Sequence, residues 1–277
     1  MSAFTFAVIG GDRRSFYAAK RLREYGFQTK IFGLKNEETY LPSEDIETDA
    51  VLLPVPLSRD GIRVFAPESR EDILISDVLA SVSENALIFA GGVSRIEDKR
   101  IMDYAKREDF ALMNAVPTAE GALLLALQNG KTTVCGMSVA VIGFGKVASA
   151  VAKLFSAAGA KITVFARKEQ ARNEAHILGY TAKPISELSE CADLYSLIVN
   201  TVPARIFDKD ILLRIRKDAL LMELASAPYG LDFKEAEDWG IRAMLASGLP
   251  GKYFPETAGY AVTETVLNVL REKEILF

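Results

Sequence analysis

The sequence has little of what several common kinds of protein require. It contains one histidine, His176, and two cysteines, Cys135 and Cys191, which lie far apart in a chain of 277 residues. Neither cysteine has a cysteine or histidine at metal-ligand spacing, so we expect no metal site. Because so few cysteines are typical of a reducing compartment, we also expect a cytoplasmic protein.

Charge and hydrophobicity argue against two classes of partner. The formal net charge is -4 and the isoelectric point is near 5.3, which gives no general attraction to nucleic acid or to an anionic membrane. No uninterrupted apolar run reaches the roughly 18 residues of a membrane span, and no secretory signal precedes the strand-like residues 4–9. We therefore expect neither nucleic acid nor a membrane as a partner, whereas a small anion held by a local basic cluster is compatible with this charge.

What the chain has is a regular alternation of short β-rich apolar runs and helix-length amphipathic segments, typical of parallel sheets joined by helices. We predict an α/β protein with two Rossmann-like domains, each a doubly wound parallel sheet, and an interdomain cleft. In the first half, strands are predicted at residues 4–9, 29–32, 50–54, 86–89 and 111–114, and helices at residues 15–25, 73–82 and 96–106. In the second half, strands are predicted at residues 138–142, 162–165, 197–200, 220–224 and 243–246.

A last helix, predicted at residues 257–271, comes too late to belong to the second sheet and is expected to return to the N-terminal domain. That domain, flavodoxin-like and substrate-binding, then comprises residues 1–117 plus 257–277. Residues 118–130 are predicted as a hinge helix, and residues 131–256 as an NADP-binding Rossmann domain.

One glycine-rich segment gives the strongest functional signal. Between a buried-strand pattern at residues 138–142 and a helix-like stretch at residues 149–158 lies the GxGxxA form of the dinucleotide fingerprint. The first glycine permits a tight turn, the second lets the backbone approach a pyrophosphate at the helix N-terminus, and the small third residue lets helix and strand pack closely. The predicted cofactor-binding residues here are Gly143, Phe144, Gly145, Lys146, Val147 and Ala148.

The end of the second Rossmann strand bears on the choice of dinucleotide. NAD-binding proteins commonly place an acid there to accept hydrogen bonds from the ribose, but this strand is followed by Arg167 and Lys168. Two cations suit a 2′-phosphate, and the guanidinium also offers a planar surface for adenine. We predict NADP(H), with NAD(H) as the alternative. The other interpretation of the pair is a solvated helix entrance.

Two further strand ends are expected to border the ribose and nicotinamide, because ligands in open α/β sheets bind at the carboxyl ends of the strands. Asn200, Thr201 and Pro203 follow the fourth strand, and Ala225 and Ser226 follow the fifth. We predict a catalytic role for Ser226 and cofactor contacts for the other four. Ordinary turn chemistry is the alternative for each of them.

Other catalytic candidates come from segments rich in turn residues. After the first strand, Asp12 is either a helix cap or, with Arg14, part of a cleft-facing pair in which the arginine grips a substrate carboxylate. Pro117 is expected at helix position N1, followed by Thr118 and Glu120, which can do proton work. Residues 248–252 and Thr257 form either a hinge or a substrate loop.

The single histidine disfavours one reaction. His176 follows Arg167 on the adenosine side and is predicted to be a surface or packing residue. Dehydrogenases of 2-hydroxy acids that have a similar two-domain shape use a histidine base near the end of the cofactor domain. This chain has no histidine there. A Lys/Asp pair of the shikimate dehydrogenase type is not recognisable either.

Several segments, taken in order, resemble one family over nearly the whole chain. They are Ile9-Gly10-Gly11-Asp12 with Arg14, Pro117-Thr118 with Glu120-Gly121, Gly143-x-Gly145, Asn200-Thr201-x-Pro203, Leu224-Ala225-Ser226, Gly248-Leu249-Pro250-Gly251 and Thr257-Ala258-Gly259. Together they resemble the A subunit of bacterial dipicolinate synthase. The resemblance implies an enzyme of spore-forming bacteria that oxidises a dihydrodipicolinate-type product of the lysine pathway to pyridine-2,6-dicarboxylate, using NAD(P)+ and a flavoprotein-like B subunit.

That chemistry agrees with the residues. Removing a hydride from a partly reduced ring gains aromatic stabilisation, so a modest base such as a carboxylate or water suffices. We expect Asp12 or Glu120 as the base and Arg14, or else Arg13 or Lys252, as the clamp for a small dicarboxylate. The alternatives are another NADP-dependent dehydrogenase of a small carboxylate and a nucleotide-binding interaction subunit. The sequence leaves room for a homo-oligomer.

Overall fold

The structure, a computed structural model, describes residues 4–34, 46–93, 96 and 98–275. The chain divides into two compact units. Unit 1 comprises Met1–Asn114 and Pro250–Phe277, and unit 2 comprises Ala115–Leu249. Each unit is built on one parallel sheet with helices. The prediction of an α/β protein with two Rossmann-like domains is confirmed.

Strands and helices alternate along the described residues. The strands are β1 (Thr5–Ile9), β2 (Gln28–Phe32), β3 (Ala50–Leu52), β4 (Leu87–Ala90), β5 (Ile101–Asp103), β6 (Ser138–Ile142), β7 (Lys161–Phe165), β8 (Thr181–Lys183), β9 (Leu197–Asn200), β10 (Leu220–Glu223) and β11 (Arg242–Leu245). The helices are α1 (Arg13–Glu24), α2 (Ile75–Ser81), α3 (Glu108–Asn129), α4 (Lys146–Ala157), α5 (Glu169–Ile177), α6 (Leu188–Cys191), α7 (Lys209–Arg214), α8 (Phe233–Asp238), α9 (Leu249–Tyr253) and α10 (Pro255–Glu272).

The sheet of unit 1 has the order β2-β1-β3-β4-β5, with every neighbouring pair parallel. Strand β1 reads as a continuous apolar run because both of its faces are covered. Phe6 and Val8 belong to the cluster that includes Leu22 of α1, whereas Ala7 and Ile9 belong to a second cluster. The order of strands reverses between β1 and β3, which is where ligands bind in sheets of this order.

The sheet of unit 2 has the order β11-β10-β9-β6-β7-β8 and is also parallel throughout. Its order reverses between β6 and β9. The register aligns Ile142, Phe165, Asn200 and Glu223 in one row across β7, β6, β9 and β10. The loops after these four strands therefore leave the sheet at the same edge.

Helix α10 packs on α1 in unit 1, as the sequence predicted for the terminal helix. A Cβ atom on Gly259 would lie 2.5 Å from the carbonyl oxygen of Arg14 and 2.8 Å from Cβ of Tyr17. The buried hydroxyl of Thr263 donates a hydrogen bond to the carbonyl of Ala18 at 3.1 Å. The two helices therefore approach closely because small residues lie where they meet.

Two predictions for the first half were wrong. Residues 111–114, predicted as a strand, lie in α3, and residues 96–106, predicted as a helix, contain β5. Alanine, leucine and methionine in the first of these segments are strong helix formers, and Glu108 and Asp109 in the first turn of α3 favour a helix start there. A short apolar run by itself does not distinguish a strand from a buried helix.

Two turn assignments also need correction. Pro117 lies inside α3 rather than at a helix start, so residues 118–129 of the predicted hinge helix continue a longer helix, which ends before Gly130. A proline at this place lacks the N–H that would bond to the carbonyl four residues earlier, and the flanking helix formers outweigh that loss. The predicted turn at residues 248–252 is mostly helix α9.

Helix α3 is long and apolar enough to cross a membrane by length and composition, with a mean hydropathy of 1.5 over its best window. Half of that window is buried inside the protein. A core helix of a water-soluble protein gives the same values, so α3 is only a weak indication of a membrane span.

We expect Gly259→Ala to lower the free energy of unfolding by about 1–3 kcal/mol. The added Cβ would clash with backbone atoms of α1, which can move away only if the whole helix shifts. Thr257→Ala, on the exposed side of the same helix, should change it by less than about 0.5 kcal/mol. Urea denaturation of both variants measures the difference. Equal effects would show that the contact between α1 and α10 is not tight.

Candidate functional site

The first glycine of the fingerprint turns the chain sharply after β6. Gly143 has φ 92°, a conformation that favours glycine, and its N–H donates to the carbonyl of Phe165 at 2.8 Å. A Cβ atom here would lie 2.8 Å from Oγ1 of Thr201, and this hydroxyl donates to the carbonyl of Ile142 at 2.8 Å. Both the backbone and the neighbouring side chain therefore require glycine.

The second glycine faces open space. Gly145 is the N-cap residue of α4, and no side chain caps this helix end. A Cβ atom on Gly145 would meet no heavy atom within 4 Å. Ala148, in the first turn of α4, is fully buried. The N-terminus of a twelve-residue helix, with its positive dipole end behind a glycine that blocks nothing, fits a pyrophosphate group.

The end of β7 carries the predicted cations. Arg167 and Lys168 are exposed. A third cation was missed in the sequence: Nη1 of Arg172 donates to the carbonyls of Ala166 at 3.0 Å and Arg167 at 2.8 Å. Arg172 thereby fixes the backbone of the turn that presents the other two. The signal in the sequence is limited to the position of Arg172 near the start of α5, close to the turn after β7 that its side chain holds.

The turn after β9 is held from inside. Asn200 is fully buried, and its Oδ1 accepts a hydrogen bond from the N–H of Val202 at 3.1 Å. Its Nδ2 donates to the carbonyl of Val202 at 3.1 Å and to both carboxylate oxygens of Glu223 at 2.9 Å. The amide of Asn200 is thus occupied by the protein. Thr201 is partly exposed and Pro203 exposed at the same edge.

Glu223, which ends β10, was also missed. It is fully buried, and its oxygens accept hydrogen bonds from the N–H groups of Ala225 and Gly230, both at 2.9 Å. Burial raises the pKa of this carboxyl group, and the hydrogen bonds from Asn200 and the two backbone N–H groups offset that only in part. An acid ending an apolar strand is the signal in the sequence, since a buried acid needs partners. Ser226, just beyond, is exposed.

In unit 1, Asp12 and Arg14 form a partly buried ion pair. Asp12 caps α1 by accepting from the N–H of Arg14 at 3.0 Å. The guanidinium of Arg14 donates to the same carboxylate from Nε at 2.9 Å and from Nη2 at 2.8 Å. Burial by itself raises the pKa of Asp12, but the hydrogen bonds and charge of Arg14 outweigh it and the pKa is lowered. Asp12 is therefore a weaker proton acceptor than an ordinary carboxylate.

This pair lines a small pocket, open to solvent, at the β1/β3 reversal. Ser15, Pro54, Val55 and Tyr104 are among its other lining residues. Within the described residues, Nη1 of Arg14 donates to no protein acceptor, and it is not fully buried. The guanidinium can therefore take one more acceptor.

Gly251 of α9 lies against this guanidinium, and a Cβ atom there would lie 2.6 Å from Nε of Arg14. The segment predicted as a turn, residues 248–252, therefore borders the side chain of Arg14 and limits where it can lie.

The remaining predicted residues are spread over the two units. In unit 2, Thr118 is buried and Glu120 is exposed on α3. In unit 1, Thr257 is exposed in the first turn of α10, and Nζ of Lys252 lies 5.1 Å from the ring centre of Tyr253. Asp12 and Arg14 are thus the predicted catalytic residues that the structure brings into direct contact.

Comparison with known proteins identifies the two halves. Residues 5–114 match the family model of the N-terminal domain of the dipicolinate synthase A subunit. Residues 120–229 match the NAD binding domain of D-isomer specific 2-hydroxyacid dehydrogenases. The A subunit of dipicolinate synthase from Bacillus subtilis (strain 168) is 30% identical, over 98% of this chain and 97% of that protein.

The chain belongs to the family of dipicolinate synthase A subunits.

Solved structures of that family agree with this placement. The A subunit from Bacillus halodurans has a TM-score of 0.86 at 27% identity and covers 96% of this chain and 97% of its own. The one from Bacillus subtilis has a TM-score of 0.86 at 29% identity and covers 99% and 98%. The resemblance in the sequence motifs is therefore confirmed, and unit 2 is a nicotinamide dinucleotide-binding domain of the oxidoreductase type.

Two negative observations complete the site of this family member. Within the part of the chain that the structure describes, no group of three or more histidine, cysteine, aspartate or glutamate side chains is arranged to hold a metal ion. His176 lies exposed in the last turn of α5, as predicted. Its position offers no base at the edge of the sheet where Gly145 lies.

The two fingerprint glycines should respond differently to alanine. Gly145→Ala puts a methyl group into open space, so the melting temperature should stay unchanged while the Kd for the dinucleotide rises about tenfold, or ~1.4 kcal/mol. Gly143→Ala forces a left-handed backbone and a clash, and should cost roughly 1–2 kcal/mol or more of folding stability. Calorimetric titration and thermal melts separate the two effects. Unchanged affinity in Gly145→Ala would exclude the pyrophosphate from this position.

Proposed function

We propose that this chain is the NAD(P)-dependent subunit of a dipicolinate synthase. It oxidises dihydrodipicolinate, or its hydroxy-tetrahydro precursor, to pyridine-2,6-dicarboxylate in the cytoplasm during sporulation, together with a B subunit. The observation that carries the proposal is the similarity to the Bacillus subtilis protein, 30% identical over 98% of the chain. That similarity spans both the dinucleotide cradle of unit 2 and the Asp12–Arg14 pair of unit 1.

The reaction asks little acid–base chemistry of the protein. A bound oxidised nicotinamide would supply the acceptor for the hydride that leaves a ring carbon of the substrate. The second hydrogen leaves the ring as a proton, and the hydroxylated precursor loses water as well, so that an aromatic ring results. Because aromaticity drives the proton loss, water or an exposed carboxylate such as Glu120 suffices as the base.

The carboxylates of the substrate need a cation that is held in place. Arg14 meets this need, since Nε and Nη2 are fixed by Asp12 and Nη1 remains for a further acceptor. We therefore assign Arg14 as the carboxylate-binding residue and Asp12 as the group that orients it. Asp12, with its lowered pKa, is a poor choice for the base.

The turn after β7 favours NADP(H). Arg167 and Lys168 are exposed there, and Arg172 holds the turn by its carbonyls. Three cations at the place where NAD-binding proteins commonly have an acid suit a 2′-phosphate. A hydroxy-acid dehydrogenase is disfavoured, because the chain's only histidine lies exposed in α5.

The direct test follows NADPH formation at 340 nm, with dihydrodipicolinate generated in place, for this chain with and without the B subunit. Cofactor reduction together with appearance of dipicolinate is the expected result. If NADP+ binds tightly but no mixture reduces it, the proposed substrate is wrong. If only the B subunit oxidises the substrate and this chain adds nothing, the chain is an interaction subunit.

Arg14→Ala should lower kcat/KM about tenfold or more, mainly by raising KM, because it removes a hydrogen bond to a charged group worth about 1.5–3 kcal/mol. Arg14→Lys keeps the charge but not the planar fork, and should fall between the wild type and Arg14→Ala. Steady-state kinetics measure both. Arg13→Ala tests the neighbouring arginine: if that change is the harmful one and Arg14→Ala is neutral, the assignment passes to Arg13.

Arg167→Ser should weaken NADP+ binding about tenfold and leave NAD+ binding within about twofold, since the 2′-phosphate alone loses its partner. The matched control is Arg214→Ser, which removes an exposed arginine of α7 that is paired with Asp193. Fluorescence titration of the wild type and of both variants gives the dissociation constants for the two nucleotides. Equal losses for both nucleotides would mean that Arg167 stacks on adenine instead.

A further inference from the structure

Glu223, at the end of β10, joins the starts of two loops of unit 2, those that follow β9 and β10. Its carboxylate accepts hydrogen bonds from Ala225 and Gly230, both in the loop after β10, and from Asn200, the last residue of β9. Gly230 in turn accepts at its carbonyl from the N–H groups of Ile206 and Phe207, at 2.8 and 2.9 Å. One buried side chain therefore sets the course of residues 200–207 and 225–230.

The chemistry of the contacts calls for a carboxylate. Every group that faces the two oxygens of Glu223 is a donor: two backbone N–H groups and the Nδ2 of Asn200. Among the residues that the structure describes, no charged side chain takes part. A glutamine at this place would turn its own NH₂ group toward one of these donors, and a buried donor without an acceptor costs more than an ordinary hydrogen bond contributes.

These loops lie on one side of the dinucleotide cradle. The pyrophosphate position lies after β6, and the cations that suit the adenosine half lie after β7, on one side of β6 in the sheet. The nicotinamide half of the dinucleotide must then extend over the ends of β9 and β10, which lie on the other side of β6 in the sheet, across the reversal in strand order. Asn200 ends β9, and residues 201–203 and 225–226 lie in the loops that follow β9 and β10.

We infer that Glu223 is a positioning residue for the nicotinamide half of the cofactor. It is fully buried and acts through Asn200, Ala225 and Gly230 rather than by touching the cofactor. This inference rests on the proposed dinucleotide-dependent function, and it assigns the two ends of the cofactor to different parts of the site. The adenosine end depends on the turn after β7, and the nicotinamide end depends on a buried carboxylate.

The test compares two ligands that differ only at the nicotinamide end. Titration calorimetry gives Kd for NADP+ and for 2′-phospho-ADP-ribose with the wild type, Glu223→Gln and the control Glu237→Gln, an exposed acid on α8 of the same unit. We expect Glu223→Gln to weaken NADP+ binding about tenfold and to leave the fragment within about twofold of the wild type. Glu237→Gln should change neither.

A purely structural role of Glu223 would weaken both ligands alike, and an irrelevant one would weaken neither; each result overturns the inference. Asn200→Ser removes one of the donors that face Glu223 while both backbone donors remain, and should show the same selective loss to a smaller extent. That variant decides the matter if Glu223→Gln does not fold. A wild type that binds neither ligand would overturn the cofactor assignment itself, whereas binding without substrate oxidation would overturn only the proposed substrate.

Discussion

Parallel pairing in register is the constraint on which this protein depends. In unit 2 it brings the ends of β6, β7, β9 and β10 into one row, so that loops distant in sequence begin side by side. In unit 1 the same geometry places Asp12 after β1 next to Pro54 after β3. A parallel sheet needs helical crossovers between its strands, and these leave the carboxyl ends free for loops that bind ligands. Each candidate site lies at such an edge, where the loops that leave neighbouring strands meet.

Polar groups at these edges are held mostly by partners inside the protein. Asp12 fixes Arg14, Arg172 fixes the turn of Arg167, and Glu223 fixes the turn of Asn200. In each pair one member holds the other, or the turn that carries it, in a fixed orientation. Such pairing would lower the reorganisation needed on binding a ligand, since the polar groups already have their orientation.

The sequence was sufficient where function depends on local backbone needs. The fingerprint glycines and the cations after β7 could be predicted because a turn, a helix start and a strand end follow one another within a few residues. Glu223 and Arg172 could not be assigned roles, because their partners are set by tertiary packing rather than by spacing. The three-residue strands β5 and β8 are too short to show a period, and Pro117 inside α3 contradicts the usual meaning of a proline between apolar segments. Local patterns therefore predicted the strand, glycine turn and helix start at residues 138–148, but not the buried network of Asn200 and Glu223.

The return of α10 to unit 1 affects how this chain can be divided. Val262, Val266 and Leu270 of α10 share a core cluster with Phe6 and Leu22, and Gly251 lies against Arg14. The continuous segment that corresponds to the N-terminal family model, residues 5–114, lacks all of these C-terminal residues. A gene fragment that encodes only this segment would leave part of this core cluster uncovered and Arg14 without its contact to Gly251. Unit 2 is one continuous segment, whereas unit 1 is built from both ends of the chain, so that a transfer of unit 1 between proteins needs both segments.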